Sequence, residues 1–522
     1  MVAAKRTEVA AEGPCSRSVE DPPRAALTPL SRTLVLCGIF LAVLMGAMDG
    51  LVVGTVLPTI AVDLHQVNGV TFVVSAYLVS STIAIPIFAR LSDISSRRNV
   101  FLAGLAVFIA GSALAGLSQN LTELIVFRGI QGFGGGGVFP VAVAMVTVLF
   151  PPETRTRAIA VLGASSGVSI AAGPLLGSYI VSITTWRWVF YINLPFGFAA
   201  LAVLLLAVGP LRAPTGERFD VLGAGLMTGW VAALILALFQ VANSGWGWTD
   251  LRIVALLGGA AVLFAGFLAW ELRVEHPLVP LRLLRRPVIA SASGIMLFMG
   301  VVFSALITFL SLFVGIVLHD PASDVRDMIY FFAAPMLVGI FVAGALLNRV
   351  QYRALVLPGI LVSGLAGLLL DRLTSSTPLW SLRFGLLLSG GIALPLIPMG
   401  FGLGMGLAGA MIAVQNDAPT KEIGAANGLI RFFQSLGGAL GISLLTIFQT
   451  WRLGQLSSGV TTPDGALGAL VHSYDDVFLI LALLVFVAFV CSFWLTGRVP
   501  SSRSPPKVPI ATGRSAPSRP GD

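Results

Sequence analysis

The sequence predicts an all-α polytopic membrane protein, and three observations carry that prediction. Hydrophobic residues make up 56% of the 522 and charged residues only 11%, against about 25% charged in soluble domains. The apolar residues fall into fourteen separate runs, and a helix needs about 20 such residues to cross a bilayer. Lys and Arg are shared unequally among the connecting segments, as the positive-inside rule requires of a chain that crosses repeatedly.

In order, the runs are 33–57, 70–89, 99–118, 121–150, 157–182, 187–208, 220–242, 252–271, 288–318, 327–347, 354–371, 384–414, 424–450 and 475–496. They predict 14 transmembrane helices, of which the twelfth is interrupted by Pro395 and Pro398. With both termini in the cytoplasm, the inner segments hold 24 of the 32 Lys and Arg and the outer loops hold six. Arg128 and Arg431 lie within spans. A span gained or lost midway would blur that bias, so the expected topology is multi-pass in the plasma membrane with both termini cytoplasmic. The polar N-terminal tail carries Lys5, Arg6, Arg17, Arg24 and Arg32 ahead of a full-length span and has no small-residue cleavage pattern, so no removable signal peptide is expected. The Ser-, Pro- and basic-rich tail after Arg498 is expected to be disordered.

Composition also excludes. Cys15, Cys37 and Cys491 are too scattered for a disulfide framework, and His65, His276, His319 and His472 fall at segment ends or in loops, so no metal site is expected. Gly132-Phe133-Gly134-Gly135-Gly136-Gly137 fits a dinucleotide-binding glycine pattern, but no strand precedes it and it lies in a span. No glycine-rich loop ends in Gly-Lys-Ser or Gly-Lys-Thr, so no ATPase motor is expected. No nucleophile–base constellation suggests an enzyme. The basic excess follows topology and does not point to nucleic acid. Trp246 and Trp248 read as interface anchors. Asn120-Leu121-Thr122 is a glycosylation sequon, relevant only in a secretory-pathway host.

The fourth span holds the costliest residue. Arg128 stands in the run 121–150, where an arginine costs roughly 2.5–3.5 kcal/mol on insertion scales and therefore needs a partner. The glycines that follow strip a helix face bare, so a neighbouring backbone can approach closely. Two inner loops are short and basic: Ala89-Arg90-Leu91-Ser92-Asp93-Ile94-Ser95-Ser96-Arg97-Arg98, and Pro151-Pro152-Glu153-Thr154-Arg155-Thr156-Arg157. Topology alone would not require an aspartate ahead of an arginine pair. Asp93 is placed to cap a facing helix N-terminus, and Arg97 and Arg98 to clamp acidic or carbonyl partners, so Asp93, Arg97, Arg98 and Arg157 are expected to form a gating cluster.

Several stretches together resemble the fourteen-span drug:proton antiporter branch of the major facilitator superfamily. Residues 89–98 resemble its signature between spans two and three, keeping Leu91, Asp93, Arg97 and Arg98 but with Ala89, Ile94 and Ser96 at three motif positions. Met48-Asp49-Gly50 through Leu57-Pro58 resembles the first-span signature, and Phe127-Arg128-Gly129-Ile130-Gln131-Gly132 the fourth-span motif. Gly163, Gly167 and Gly173-Pro174-Leu175-Leu176-Gly177 resemble the fifth-span antiporter motif, with Ser178 in place of a second glycine. Trp186-Arg187-Trp188-Val189-Phe190-Tyr191-Ile192-Asn193-Leu194-Pro195 resembles the start of span six in this branch, and Val414-Gln415-Asn416 and Leu436-Gly437-Gly438-Ala439-Leu440-Gly441 resemble spans twelve and thirteen.

The resemblance implies a major facilitator fold of two six-helix bundles rocking about a central cavity. Residues 1–32 would be a cytoplasmic tail, 33–208 the first bundle, 209–287 two inserted helices and a linker, 288–497 the second bundle and 498–522 the second tail. It also implies a secondary active transporter that exports lipophilic or amphiphilic small molecules in exchange for protons, as in multidrug efflux. No cofactor is expected beyond the proton gradient. The partners are a small-molecule substrate, protons and the bilayer, with no nucleic acid and a monomeric state. The alternatives are a dedicated exporter of an endogenous metabolite or lipid by the same antiport mechanism, and a non-transporting membrane sensor.

Asp49 is the one acid well inside a predicted span; Glu271 and Asp327 lie near span ends. An intramembrane acid is a functional candidate. Asp49 lies roughly 12 Å before the end of span one and Arg128 roughly 10 Å into span four, at comparable depth below one surface. Burial disfavours the carboxylate and an adjacent guanidinium favours it, so a moving arginine would switch proton affinity. In span five, Gly163 with Gly167 and Gly173 with Gly177 form small-xxx-small faces, and Pro174 kinks the helix between them. Gln131, Gln415, Arg431 and Gln434 are candidates for the substrate pathway. Arg431 has a competing reading, snorkelling to the cytoplasmic interface, since the family commonly places an arginine where this chain has Gln434. Spans ten and thirteen lack the acids that favour cationic substrates in some relatives, which points to neutral or amphiphilic ones.

Overall fold

The computed structural model describes residues 29–66, 69–209, 219–243, 247–275, 277–318, 322–346, 350–372, 393–418, 422–458 and 462–495. The two tails with Cys15, and Trp246, His276, His319, the packing of Gly167 and the side chain of Arg157, lie outside what is described. So do residues 384–392, the start of the twelfth predicted span.

Each predicted run is matched by helix. The first seven helices are α1 Pro29–Asp63, α2 Phe72–Ile94, α3 Arg97–Leu117, α4 Leu121–Leu149, α5 Pro152–Ile183, α6 Trp188–Tyr191 and α7 Asn193–Ala207. They are followed by α8 Val221–Asn243, α9 Leu251–Glu271, α10 Pro287–Leu312, α11 Ala322–Leu346, α12 Tyr352–Gly367, α13 Ala393–Asp417, α14 Ile423–Ser457 and α15 Pro463–Ser492. Thirteen segments of the described residues are long and apolar enough to span a membrane, with α6 and α7 together making one. α5, a helix of 32 residues, has Ala172–Ile183 as its described apolar part, shorter than the thirteen.

Sequence patterning misses how far helices outrun their apolar runs. The first run ends at residue 57 but α1 continues to Asp63, and the last begins at 475 but α15 starts at Pro463. Backbone hydrogen bonding carries a helix past the hydrocarbon wherever no breaker intervenes, so hydropathy marks the membrane and not the helix. His472 accordingly lies inside α15 and not in a loop.

Local chemistry sets the helix starts. Asn120 Oδ1 accepts the N–H of Glu123 at 2.9 Å, while the Glu123 carboxylate takes Asn120 Nδ2 at 2.7 Å and the N–H of Gln119 at 2.9 Å, a reciprocal cap that opens α4. Proline stands in the first turn of α5, α10 and α15, where its missing N–H costs nothing. Asp220 caps α8 through the N–H of Gly223 at 2.8 Å.

The helix pairings repeat. In the first set α2 and α3 lie on α4, α1 lies on α5 and α7, and α3 touches α7. In the second, α11 and α12 lie on α13, α10 lies on α14 and α15, and α12 touches α15. The contacts between the sets exchange in the same way: α2 meets α14, α11 meets α5, and α1 meets α10. The hairpin α8–α9 stands between them, with α8 touching α2 and α14.

The end of the helix sets at which α1 begins is called here the terminal end. At the far end the two sets touch: Thr446 donates to Thr71 Oγ1 at 2.8 Å, and a Cβ at Gly54 would lie 2.9 Å from Ile307. Closer to the middle, Thr82 donates to Ser435 Oγ at 2.6 Å. Toward the terminal end, a Cβ at Gly50, about one turn from Gly54, or at Gly428, about two turns from Ser435, would meet nothing within 4 Å. The two sets are sealed at the far end and part toward the terminal end, leaving a cavity between them.

Candidate functional site

Asp49 and Arg128 meet in the interior of the first set. Arg128 Nη1 donates to Asp49 Oδ2, and the two residues are 0% and 3% exposed, the arginine being the lower. Three elements position them: α1 carries Asp49, the capped α4 carries Arg128, and α2 supplies the carbonyl of Val73, which accepts from Arg128 Nε at 3.2 Å. The glycines of α4 make this closeness geometrically feasible. A Cβ at Gly132 would lie 2.8 Å from Tyr77 Cα, one at Gly136 2.7 Å from Ser81 Cα, and one at Gly134 2.8 Å from Phe108 Cα. Two neighbouring backbones, α2 and α3, therefore lie directly on α4.

The pair is embedded in a polar network. Gln131 Nε2 donates to Asp49 Oδ1 at 2.8 Å and to Ser112 Oγ at 3.1 Å, while its Oε1 accepts from Arg128 Nη1 at 2.7 Å. Asn193 Nδ2 donates to the same Asp49 oxygen at 3.1 Å and to Ser112 Oγ at 3.0 Å. Ser112 Oγ itself donates to the carbonyl of Phe190 at 2.9 Å. The Arg128 guanidinium lies 4.3 Å from the centroid of the Tyr77 ring, and the Tyr77 hydroxyl donates to the carbonyl of Gly46 at 3.1 Å. Arg128 Nη2 is buried without an acceptor. The ring face offsets part of that loss, since a desolvated cation–π contact contributes about 2 kcal/mol.

Sequence reasoning identifies the pair and misses its surroundings. Gln131, expected on the substrate pathway, is 0% exposed and belongs to the ion-pair network. Ser112, Asn193 and Tyr77 carry no signal as isolated polar residues in apolar runs. Asn193 has one in context: it is an amide directly after Trp186-Arg187-Trp188-Val189-Phe190-Tyr191-Ile192, and the turn at Ile192 that separates α6 from α7 aims it at Asp49. That same stretch locks the far end, where Asp63 Oδ2 accepts from Trp186 Nε1 at 2.8 Å and from Arg187 Nη1 at 3.2 Å.

The loop cluster is placed in part as expected. Arg97 Nη1 donates to the carbonyl of Ala144 near the end of α4 at 3.4 Å, and Arg98 Nη2 to that of Leu205 near the end of α7 at 2.9 Å. Both take carbonyls at helix C-termini, where cations are favoured. Asp93 is exposed and lies within electrostatic range of Arg97.

Span five lies on the back of α1. A Cβ at Gly173 would lie 2.9 Å from Leu51 Cβ, and one at Gly177 3.0 Å from the carbonyl of Val52 and against Thr55 Oγ1. Pro174 is buried between them. Gly163 differs from expectation: it is exposed and its Cβ position is open, so it makes no close helix contact. Gln415 stands at the terminal-end tip of α13, which closes at Asp417, and is half-buried. Arg431 donates to Gln434 Oε1 at 3.2 Å and reaches across the cavity to the Phe139 ring of α4 at 5.4 Å. It crosses between the two sets and does not turn along α14 toward the interface, so snorkelling is not its role here. Glu271 is buried at the end of α9, where it accepts the N–H of Val279 and anchors the linker to the second set.

A family model described as the Major Facilitator Superfamily matches residues 39–442. The multidrug transporter protein MdtP of Bacillus subtilis (strain 168) is 32% identical over 434 residues, covering 83% of this chain and 78% of that one. Multidrug resistance protein 3 of the same organism is 30% identical over 420 residues, 80% of each. Among solved structures, a bacterial homolog to the human lysosomal transporter Spinster, crystallised inward-facing and occupied, superposes with a TM-score of 0.62 at 15% identity, covering 90% of this chain and 97% of that one. This last likeness is one of fold.

Proposed function

This chain belongs to the Major Facilitator Superfamily, and from that premise we propose that it exports lipophilic or amphiphilic small molecules in exchange for protons. It is a multi-pass membrane transporter and not an enzyme. The relatives named for multidrug transport and resistance support efflux as the direction and drug-like molecules as the substrates.

One observation carries the proton reading: Asp49 is a carboxylate buried in a membrane protein with its charge balanced by a single guanidinium. Protonating Asp49 would leave Arg128 buried and uncompensated, a change that costs about 3–5 kcal/mol when one partner of such a pair is lost. Relief requires Arg128, and with it α4, to shift relative to α1. Asp49 stands just over one turn from Gly54, where α1 meets α10 at the far-end seal. A proton arriving at Asp49 therefore acts on the helix that holds the seal, which is the physical requirement for coupling.

In this reading Asp49 carries the proton and Arg128 tunes it, with Gln131 and Asn193 holding the carboxylate. Asp93, Arg97, Arg98 and Arg157 gate the terminal end, while Gly173, Pro174 and Gly177 let α5 slide on α1. The protein works as a monomer in the plasma membrane without a cofactor, and the positive-inside bias puts both termini in the cytoplasm. The test is exchange in proteoliposomes. An imposed pH gradient drives a lipophilic dye against proton flow if the proposal holds, and dye flux indifferent to the gradient contradicts it.

A further inference from the structure

The cavity between the two helix sets holds a cation that the proton site does not use. Arg431 is half-buried on α14, its guanidinium is hydrogen-bonded to the neutral Gln434 and lies over Phe139, and no carboxylate faces it among the described residues. It stands about 12 Å along α14 from Ile423, and Phe139 stands about 15 Å along α4 from Leu149, so both lie deep in the cavity.

The surrounding face is open and polar. Gly428, one turn before Arg431 on the same side of α14, has nothing within 4 Å of its Cβ position, whereas Ser435, one turn after it, already touches Thr82 of α2. Asn427, also one turn before Arg431, has a buried Oδ1 with no hydrogen-bond partner. A guanidinium without a carboxylate partner among the described residues and an aromatic face therefore lie beside the open space at Gly428. Keeping such a charge there is costly unless a ligand completes it.

Resting on the efflux reading above, we propose that Arg431 forms an anion subsite on the cavity wall, with Phe139 as its aromatic floor, selecting aromatic substrates that bear an acidic group. The guanidinium pairs with the substrate's carboxylate or phenolate, and its planar fork favours two parallel hydrogen bonds to a carboxylate. The ring of Phe139 stacks with the aromatic body. Because Arg431 and Phe139 belong to opposite helix sets, closing the cavity on an anion draws the two sets together.

The test measures binding without a pH gradient, so that it stands apart from antiport. The probes are 9-anthracenecarboxylate and its methyl ester, which differ in charge and share the ring system. Wild type is expected to bind the acid at least about tenfold more tightly than the ester, a difference of the size one charge-assisted bond supplies. Arg431→Gln removes that preference and leaves ester binding unchanged, which also shows that the variant is folded. Arg431→Lys keeps part of the preference, and Phe139→Leu weakens acid and ester alike. Equal binding of acid and ester by wild type overturns the proposal, as does loss of both ligands together in Arg431→Gln. Either failure leaves proton-driven export of neutral dyes standing. Conversely, an intact acid preference without gradient-driven transport retires the antiport reading and keeps the subsite.

Discussion

Asn193 donates to Oδ1 of Asp49 across 3.1 Å, joining the first turn of α7 to the middle of α1. Asp49 Oδ1 receives two donors in all, from Asn193 and Gln131, and Oδ2 receives Arg128. The carboxylate is thus held by three side chains from two helices other than its own. Hydrogen bonds to a charged group contribute about 1.5–3 kcal/mol each. Asn193→Ala removes one of the three donors and is expected to slow proton-coupled exchange several-fold while leaving substrate binding in place. Initial rates of exchange beside equilibrium binding check this, and an unchanged rate means that Asn193 does not hold the proton-carrying group.

Arg128 is expected not to tolerate replacement by another cation. Its Nε and Nη1 serve three acceptors, Val73, Asp49 and Gln131, and its plane lies over Tyr77. Lysine brings the charge without the fork or the stacking. Arg128→Gln is expected to destabilise the protein by about 3–5 kcal/mol by leaving Asp49 unpaired, and Arg128→Lys by less while still losing exchange. Thermal unfolding in detergent beside transport rates separates the two effects.

The glycines of α5 are not equivalent. Gly177→Val places methyls against Thr55 and the carbonyl of Val52 and is expected to push α5 off α1, abolishing transport. Gly163→Ala meets nothing within 4 Å and is expected to keep wild-type rates. Equal effects at both positions would mean that the motif does not act through the α1–α5 contact.

The far-end seal offers a conformational test. Thr71 and Thr446 hold hydroxyl oxygens 2.8 Å apart between the two helix sets. In a variant whose native cysteines are replaced by serine, Thr71→Cys with Thr446→Cys is expected to crosslink on oxidation and stop transport, and a reductant to restore it. Unimpaired transport in the crosslinked form would mean that the far end need not open.

How much of this is legible in the sequence depends on whether a residue is costly where it stands. Asp49 and Arg128 declare themselves because charge in an apolar run is expensive, and helix rise alone sets them at similar depth. The glycines of α4 announce close packing, and the structure supplies the partners, Tyr77 and Ser81 of α2 and Phe108 of α3. Ser112 and Asn193 are inexpensive in a helix interior and acquire meaning only from a partner far along the chain. Gln131 is misread for the opposite reason: an amide suits a wet pathway and a buried network equally well, and only burial decides. The repeated pairings of α1–α7 and α10–α15 are invisible to composition, because packing geometry repeats where residues do not.

The proposed role of Asp49 as carrier of the proton that drives export is open to a direct test. The most direct measurement uses proteoliposomes holding wild type or Asp49→Asn under an imposed pH gradient, following dye flux and luminal pH together. Wild type is expected to move dye against proton flow, and Asp49→Asn to bind the dye still but no longer couple its movement to the gradient. Coupling that survives Asp49→Asn would place the proton site elsewhere.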